Sequence, residues 1–212
     1  MRKLQIRSLK YIEFAGVVAF LIVSSLTIFM VVPNGATSVA GVFWQDWKST
    51  EFGPLGPADV DALIKVRQAG LWEIPVGQQA ADRAASDDVK DVGALLAADH
   101  IKLDEQVRGV AEQLDVVLPS LPNPQQQVWM DELSGLSGEE FDRVFVNRLR
   151  AAHGSVYEAL AEVRAGTRNE LVRSFIQSGL LVVMRHITHL ESTGLVEYEK
   201  LPEPLPPERR PA

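Results

Sequence analysis

Residues 86–114 read SDDVKDVGALLAADHIKLDEQVRGVAEQL, and this stretch decides the fold class. Ser86 is a good N-cap, and the two aspartates after it favour the start of a helix. Apolar residues then recur in steps of three and four, with one gap, at Val89, Val92, Leu96, Leu103, Val107, Val110 and Leu114. This spacing predicts an amphipathic helix that buries one face against other helices.

Three further stretches show the same helical periodicity. The first covers residues 57–84, and the other two begin at Ser137 and Thr167. Ser137 and Thr167 each have a glutamate three positions later, the capping-box pattern of a helix start. No alternation of period two is present, so the sequence predicts an all-α fold, with a four-helix bundle over residues 57–200.

A long connection joins the second and third predicted helices. Residues 116–136 contain Pro119, Pro122 and Pro124, which do not continue a long helix. Asn123 followed by Pro124 is typical of a short helix start. We therefore expect one long crossover connection, and a disordered proline-rich tail over residues 201–212.

The N-terminal region is strongly apolar. Residues 14–32 read FAGVVAFLIVSSLTIFMVV without a charge, and with Tyr11 and Ile12 they approach the roughly 20 residues that cross a bilayer. Basic residues occur in residues 1–10 and then not before Lys48, so the positive-inside rule places the N-terminus in the cytoplasm. We expect a transmembrane helix at 11–32 that tethers an extracytoplasmic domain to the cell membrane. The alternative is a signal peptide cleaved near Ala40, which would release a secreted domain.

Residues 33–56 are rich in glycine and proline and are predicted to form a linker. They contain four large aromatic residues, namely Phe43, Trp44, Trp47 and Phe52. These rings are expected either at the level of the lipid headgroups or packed on the helices. A peptide or lipid binder acting through residues 43–52 is a further hypothesis.

Composition excludes several classes of function. The net charge of the chain is −7, and residues 1–32 contribute +3, which leaves −10 for the remainder. An acidic body of this kind disfavours nucleic acid as a partner. The chain has no cysteine, which removes disulfides, thiolate catalysis, zinc fingers and iron–sulfur clusters.

One group of polar residues could carry chemistry. Asp99 and His100 fill the gap in the apolar stripe of residues 86–114, while His153 and His186 lie on or beside the apolar faces of their helices. Counting from the turns at about 1.5 Å per residue places His100 and His153 at one level, Glu73 within roughly one turn of His100, and His186 roughly 7–8 Å beyond His153. Glu73, His100, His153 and His186 are therefore the candidate metal ligands, since imidazole and carboxylate suit iron, manganese or zinc.

The alternative to metal binding is that these residues form a hydrogen-bonded polar layer, or that they lie at the edge of the core with the ends of their side chains in water. A carboxylate di-iron centre is disfavoured, because it needs Glu-x-x-His on two helices and none of the four histidines has a glutamate three residues before it.

Several motifs resemble a known family. They are LWEIPVGQQAADRAASDDVKDVGALLAADH (71–100), LPSLPNPQQQVWMDELSG (118–135), FDRVFVNRLRAAHG (141–154) and RHITHLESTGLVEY (185–198). They are similar to the bacterial family called domain of unknown function 4142, a ferritin-like group of exported or membrane proteins, over about residues 57–200. The features that match are Glu73, Asp99–His100, Phe141–Asp142, His153 and His186. The resemblance implies a ferritin-like bundle and export, and it implies no assigned activity.

Two main hypotheses of function follow. The first is a membrane-tethered bundle without catalytic activity, which binds a partner or serves in envelope structure or stress response. The second is a metal-binding protein or oxidoreductase that uses the inward histidines and carboxylate, with a divalent transition metal as its cofactor. The sequence identifies no catalytic residue, and it favours binding over catalysis.

Overall fold

The computed structural model describes residues 47–202 of the 212-residue chain. A β-hairpin, with strands β1 (Lys48–Thr50) and β2 (Gly53–Leu55), precedes five α-helices. These are α1 (Pro57–Arg83), α2 (Asp87–Leu114), α3 (Pro124–Ser134), α4 (Gly138–Gly166) and α5 (Glu170–Ser192), followed by a 3-10 turn at Tyr198–Lys200. The described part of the chain is mostly helical, which confirms the predicted all-α class.

Several sequence predictions fall outside this range. The transmembrane helix predicted at 11–32 lies outside the described residues, as do linker residues 33–46 and tail residues 203–212. Between residues 47 and 202, no helix combines the length and the apolar character needed to span a bilayer.

The four long helices pack in a ring. Helix α1 lies along α2, and α4 lies along α5, while contacts of α2 with α5 and of α1 with α4 join the two pairs. Helix α3 packs on α1 and α4. Helices α1 and α2 approach closely at Gly77 and Gly93, because a Cβ atom built on Gly77 would lie 2.6 Å from the carbonyl oxygen of Gly93. Only glycine permits this approach.

The apolar core consists of two clusters stacked along the helices. The cluster nearer the hairpin includes Leu55, Leu63, Val66, Leu103, Val107, Leu114, Leu160, Val172, Phe175 and Ile176. The other includes Trp72, Val76, Val89, Leu96, Leu133, Phe141, Phe145, Leu149 and Leu190. The two clusters occupy separate stretches of α1, α2 and α4. The boundary between them falls at or beside residues 67–71 of α1, 97–102 of α2 and 150–159 of α4.

The β-hairpin corrects the prediction of a linker over residues 33–56, because residues 48–55 are folded. The hairpin is fixed to the start of α5: the carbonyl of Phe52 accepts from Glu170 N at 2.8 Å. The side chain of Asn169 donates to Thr50 Oγ1 and to the carbonyl of Gly53, both at 3.1 Å. Strands of three residues are too short to show a period in the sequence.

The two aromatic residues of this segment that the structure describes have different surroundings. Phe52 is partly buried and packs against the core cluster nearer the hairpin. Trp47 is 54% exposed, and the guanidinium of Arg168 lies 5.1 Å from the centre of its ring. Phe52 thus packs on the helices, as one of the two predicted alternatives expects.

Two of the predicted helix starts differ in detail. Ser137 is the N-cap of α4, but its side chain makes no capping hydrogen bond. Helix α5 begins two residues later than the capping box at Thr167 predicts, because Asn169 is the N-cap and its side chain accepts from Val172 N at 3.1 Å. The start of α3 is confirmed: the side chain of Asn123 caps the helix that begins at Pro124.

Candidate metal centre

The structure brings the four candidate ligands together, one from each long helix. Glu73 of α1 and His100 of α2 are each 3% exposed, His153 of α4 is 1% exposed and His186 of α5 is fully buried. We call these four residues the polar layer, because they lie where the two apolar clusters meet.

Short distances link the side chains of the polar layer. Glu73 Oε2 lies 2.9 Å from His100 Nε2 and 3.4 Å from His153 Nε2. His153 Nε2 in turn lies 3.0 Å from His186 Nδ1. Each of the three histidines offers a ring nitrogen within 4.8 Å of the nitrogens offered by the other two. Three ring nitrogens thus converge on a single buried point, and the carboxylate oxygen of Glu73 lies beside two of the three rings.

Two members of the layer have buried polar atoms without partners. Among the described residues, neither Glu73 Oε2 nor either ring nitrogen of His100 makes a hydrogen bond, although Oε2 and Nε2 are close. Buried polar atoms are normally hydrogen-bonded, and each one left unpaired costs about 1–3 kcal/mol. The layer is therefore incomplete as a hydrogen-bonded network.

Hydrogen bonds from the ring nitrogens that point away from the layer fix the tautomers of His153 and His186. His153 Nδ1 donates to the carbonyl of Leu149 at 2.8 Å, because a carbonyl oxygen can only accept. His186 Nε2 donates to the carboxylate of Asp99 at 3.1 Å for the same reason. In the neutral rings, His153 Nε2 and His186 Nδ1 are then both acceptors, and they face each other at 3.0 Å. Two acceptor nitrogens at this distance repel each other unless a proton or a cation lies between them.

The electrostatics favour neutral rings at His153 and His186 and an ionised carboxylate at Glu73. Burial, together with the neighbouring His153 and His100, lowers the pKa of His186 to about 3. Burial also lowers the pKa of His153, against the opposing effect of Glu73. Burial alone would raise the pKa of Glu73, but His100 and His153 outweigh it and hold the value at about 2. At neutral pH Glu73, His153 and His186 are therefore in the protonation states in which they bind metal.

Asp99 is the functional residue that the sequence did not single out as a site residue. Burial would raise its pKa, but hydrogen bonds from Arg185 and His186 hold the pKa below its usual range. Asp99 directly precedes His100, and adjacent positions on a helix point about 100° apart, so Asp99 reaches α5 while His100 turns inward. The position of Asp99 directly before His100 was the one feature of the sequence that could have indicated its role. Its hydrogen bond to His186 could not be predicted in this way, because that bond depends on how α2 and α5 pack.

The predicted depth of His186 was wrong. It was placed 7–8 Å beyond His153, yet the two rings are in contact. The late start of α5 at Glu170 shortens that offset by two residues, about 3 Å. Side chains also lean toward the N-terminus of their own helix, which brings the rings of the antiparallel α4 and α5 toward each other. His189 lies outside the group of histidines that converge.

Four long helices around a buried layer of three imidazoles and one carboxylate define a helical protein with a candidate metal centre. The chain matches the family model described as Domain of unknown function (DUF4142) over residues 48–193, and it belongs to that family. The resemblance found in the sequence is thereby confirmed as to family, and the match begins at the β-hairpin rather than at residue 57. No curated protein and no solved structure is significantly similar to the chain.

Proposed function

We propose that this protein binds one divalent transition-metal ion through Glu73, His100, His153 and His186. The observation that carries the proposal is the pair of acceptor nitrogens, His153 Nε2 and His186 Nδ1, which face each other at 3.0 Å in a buried site. A cation between them removes their repulsion, and it also gives a partner to the unpaired Glu73 Oε2.

The spacing of the ligand atoms suits a small metal ion. Ligand atoms about 2.0–2.1 Å from a four-coordinate metal lie about 3.3 Å from one another. The distances from Glu73 Oε2 to the two nearest nitrogens are 2.9 and 3.4 Å, close to that value. Histidine with carboxylate suits zinc, iron and manganese.

The outer bonds also resemble those of metal sites. Histidines that bind metals commonly donate their second N–H to a carboxylate or a backbone carbonyl, which orients the ring. Asp99 takes this position for His186, and the carbonyl of Leu149 takes it for His153. Because the protein supplies four ligands, the centre resembles closed structural sites more than catalytic ones, which keep an open position. We therefore propose binding rather than turnover.

We also propose a ferritin-like bundle held outside the cell membrane. The ring of four long helices and the long connection from α2 to α4, which carries α3, support the architecture. The charge-free apolar run at 14–32 and its basic flank support the membrane anchor. A reporter fused after Ala212 that is active only in the cytoplasm would exclude the extracytoplasmic placement.

The metal proposal can be tested by elemental analysis. The purified full-length chain is stripped with a chelator, loaded separately with Zn²⁺, Fe²⁺ and Mn²⁺, and freed of unbound ions. We expect one equivalent of at least one metal per chain. Substoichiometric content with all three metals would overturn the proposal.

Single substitutions distinguish the polar layer from adventitious binding. His100→Ala and His153→Ala should each reduce the bound metal to a small fraction of one equivalent, and Asp99→Asn should weaken metal affinity 10–100-fold or so. The matched control is His189→Ala, which removes the histidine outside the layer and should leave the metal content at one equivalent. Equal metal loss in the control and in His100→Ala would assign the metal to another place.

A further inference from the structure

A pocket reaches the polar layer from the surface between α1, α3 and α4. Its volume is about 300 Å³, and Glu73 is part of its lining. Glu73 also directs Oε2 at His100 and His153, so one carboxylate belongs to both the pocket and the candidate metal centre. None of the three histidines of the layer lines the pocket.

The polar part of the pocket lining is rich in hydrogen-bond donors. Lys65 and Arg148 line it as cations, and the remaining uncharged polar residues are Gln68, Asn123, Gln126 and Ser155. The amide oxygens of Asn123 and Gln126 are already used, since Asn123 Oδ1 accepts from Gln126 N and Gln126 Oε1 accepts from Asn123 N, each at 2.9 Å. Their NH₂ groups remain as donors. Among residues 47–202, Glu73 is the only acidic residue that lines the pocket.

Arg148 has a donor that lacks an acceptor. Its Nη2 atom pairs with Glu132 at 2.7 Å, but its Nε atom is buried without a hydrogen-bond partner among residues 47–202. An unpaired buried N–H of a charged group is costly, and an anion bound beside the guanidinium would interact favourably with its positive charge.

The apolar part of the lining combines two tryptophans with the aliphatic residues Ala69, Ala151, Ala152 and Val156. Trp72 and Trp129 have ring centres 5.3 Å apart, with planes inclined at 55°. The Arg148 guanidinium lies 5.5 Å from the centre of the Trp129 ring. A cavity of about 150 Å³ can hold a benzene molecule. A pocket of about 300 Å³ therefore has room for one aromatic ring with an acidic substituent.

We infer that this pocket binds a small aromatic monoanion of the aryl carboxylate class, with its ring against Trp129 and its carboxylate at Arg148. The inference rests on the proposed function in one respect: a divalent ion bound beside the single carboxylate leaves a net positive charge at the base of the pocket. The anion should therefore bind more tightly to the metal-loaded protein than to the metal-free protein.

The test is a titration of the full-length chain with benzoate, followed by tryptophan fluorescence or calorimetry, on samples of measured metal content. The metal-loaded chain should bind one benzoate saturably, and benzamide, a neutral molecule of the same shape, should bind at least about tenfold more weakly. Benzamide binding as tightly as benzoate, or no saturable binding of benzoate, overturns the inference.

Two variants and one control locate the binding. Arg148→Gln and Ala151→Leu, the second of which adds bulk to the pocket wall, should each weaken benzoate at least about tenfold. Arg143→Gln changes an arginine on the same helix outside the pocket lining and should alter affinity by less than about twofold. Unchanged affinity in both pocket variants places benzoate elsewhere and overturns the inference.

The two proposals fail in different ways. A chain that holds metal but does not bind benzoate refutes the pocket assignment alone. A chain that holds no metal, yet binds benzoate with the predicted dependence on Arg148, refutes the proposed function and keeps the pocket assignment.

Discussion

Mild acid should destabilise the metal-free protein strongly, because two histidines of the polar layer are buried in the neutral form. The pKa of His186 falls from 6.5 to about 3 on folding, so between these values the unfolded chain binds a proton that the folded chain does not. The free energy of unfolding then decreases as the pH falls, by up to about 1.4 kcal/mol per pH unit. From pH 7 to pH 5 the His186 ring alone accounts for about 2 kcal/mol. His153, whose pKa is also lowered, adds a loss of the same sign.

The interval from pH 7 to pH 5 separates the histidines from the carboxylates. Glu73 has a pKa of about 2 in the folded protein against an ordinary value of 4.5, so its contribution to stability is lost mainly below pH 4.5. Loss of stability above pH 5 therefore reports chiefly on imidazole protonation.

Urea unfolding of the chelator-treated full-length chain, followed by circular dichroism at pH 7 and pH 5, measures this effect. In His186→Gln, the difference in unfolding free energy between the two pH values should be about 2 kcal/mol smaller than in the wild type. In His189→Gln, which lacks the histidine outside the layer, the difference should remain that of the wild type. An identical difference in His186→Gln and the wild type would refute the burial of a neutral ring at position 186.

Two further predictions concern stability and use the same urea assay. Gly93→Ala should lower the free energy of unfolding by about 1–2 kcal/mol, because the added Cβ would lie 2.5 Å from a side-chain carbon of α1. Gly109→Ala is the control on the same helix, where no atom lies within 4 Å of the added Cβ, and it should raise the free energy of unfolding by about 0.5–1 kcal/mol. If both glycine substitutions changed the free energy of unfolding in the same direction, the close α1–α2 contact at Gly93 would be contradicted. Asp142→Ala should lower it by about 2–3 kcal/mol, because the buried carboxylate accepts two backbone N–H groups just before α2, at 3.1 and 2.8 Å. The exposed Glu140→Ala should change it by less than about 0.5 kcal/mol, and equal effects of the two acidic substitutions would argue against the cap.

Helices were the most predictable part of the fold, because each has a long apolar stripe. The predicted first helix at 57–84 differs from α1 by one residue at its end. The location of the polar layer was also predictable from the sequence, because His100 interrupts the apolar stripe of α2 and a polar residue in such a stripe must face the core. His100 and His153 were expected at one level, with Glu73 within about one turn of His100. In the structure Glu73 Oε2 lies 2.9 Å from His100 Nε2 and 3.4 Å from His153 Nε2.

The features that the sequence did not reveal depend on contacts between distant segments. The N-cap of α5 is Asn169, whose side chain also bonds to the β-hairpin, so the choice of Asn169 over Thr167 is made by tertiary structure. The partnership of Asp99 with His186 likewise exists only once α2 and α5 are side by side. Local patterns of three or four residues do not contain this information.

The polar layer also limits how the helices can slide along one another. Stripes of leucine and valine alone tolerate several alignments, because shifting a helix by one turn, about 5.4 Å, replaces one aliphatic contact with another. A shift of that size in α5 would carry the imidazole of His186 into an aliphatic environment and separate it from both Asp99 and His153. Leaving those buried groups unpaired costs several kcal/mol, with or without a bound ion. The four residues of the polar layer thus select one alignment of the helices from several that hydrophobic packing alone leaves nearly equal in energy.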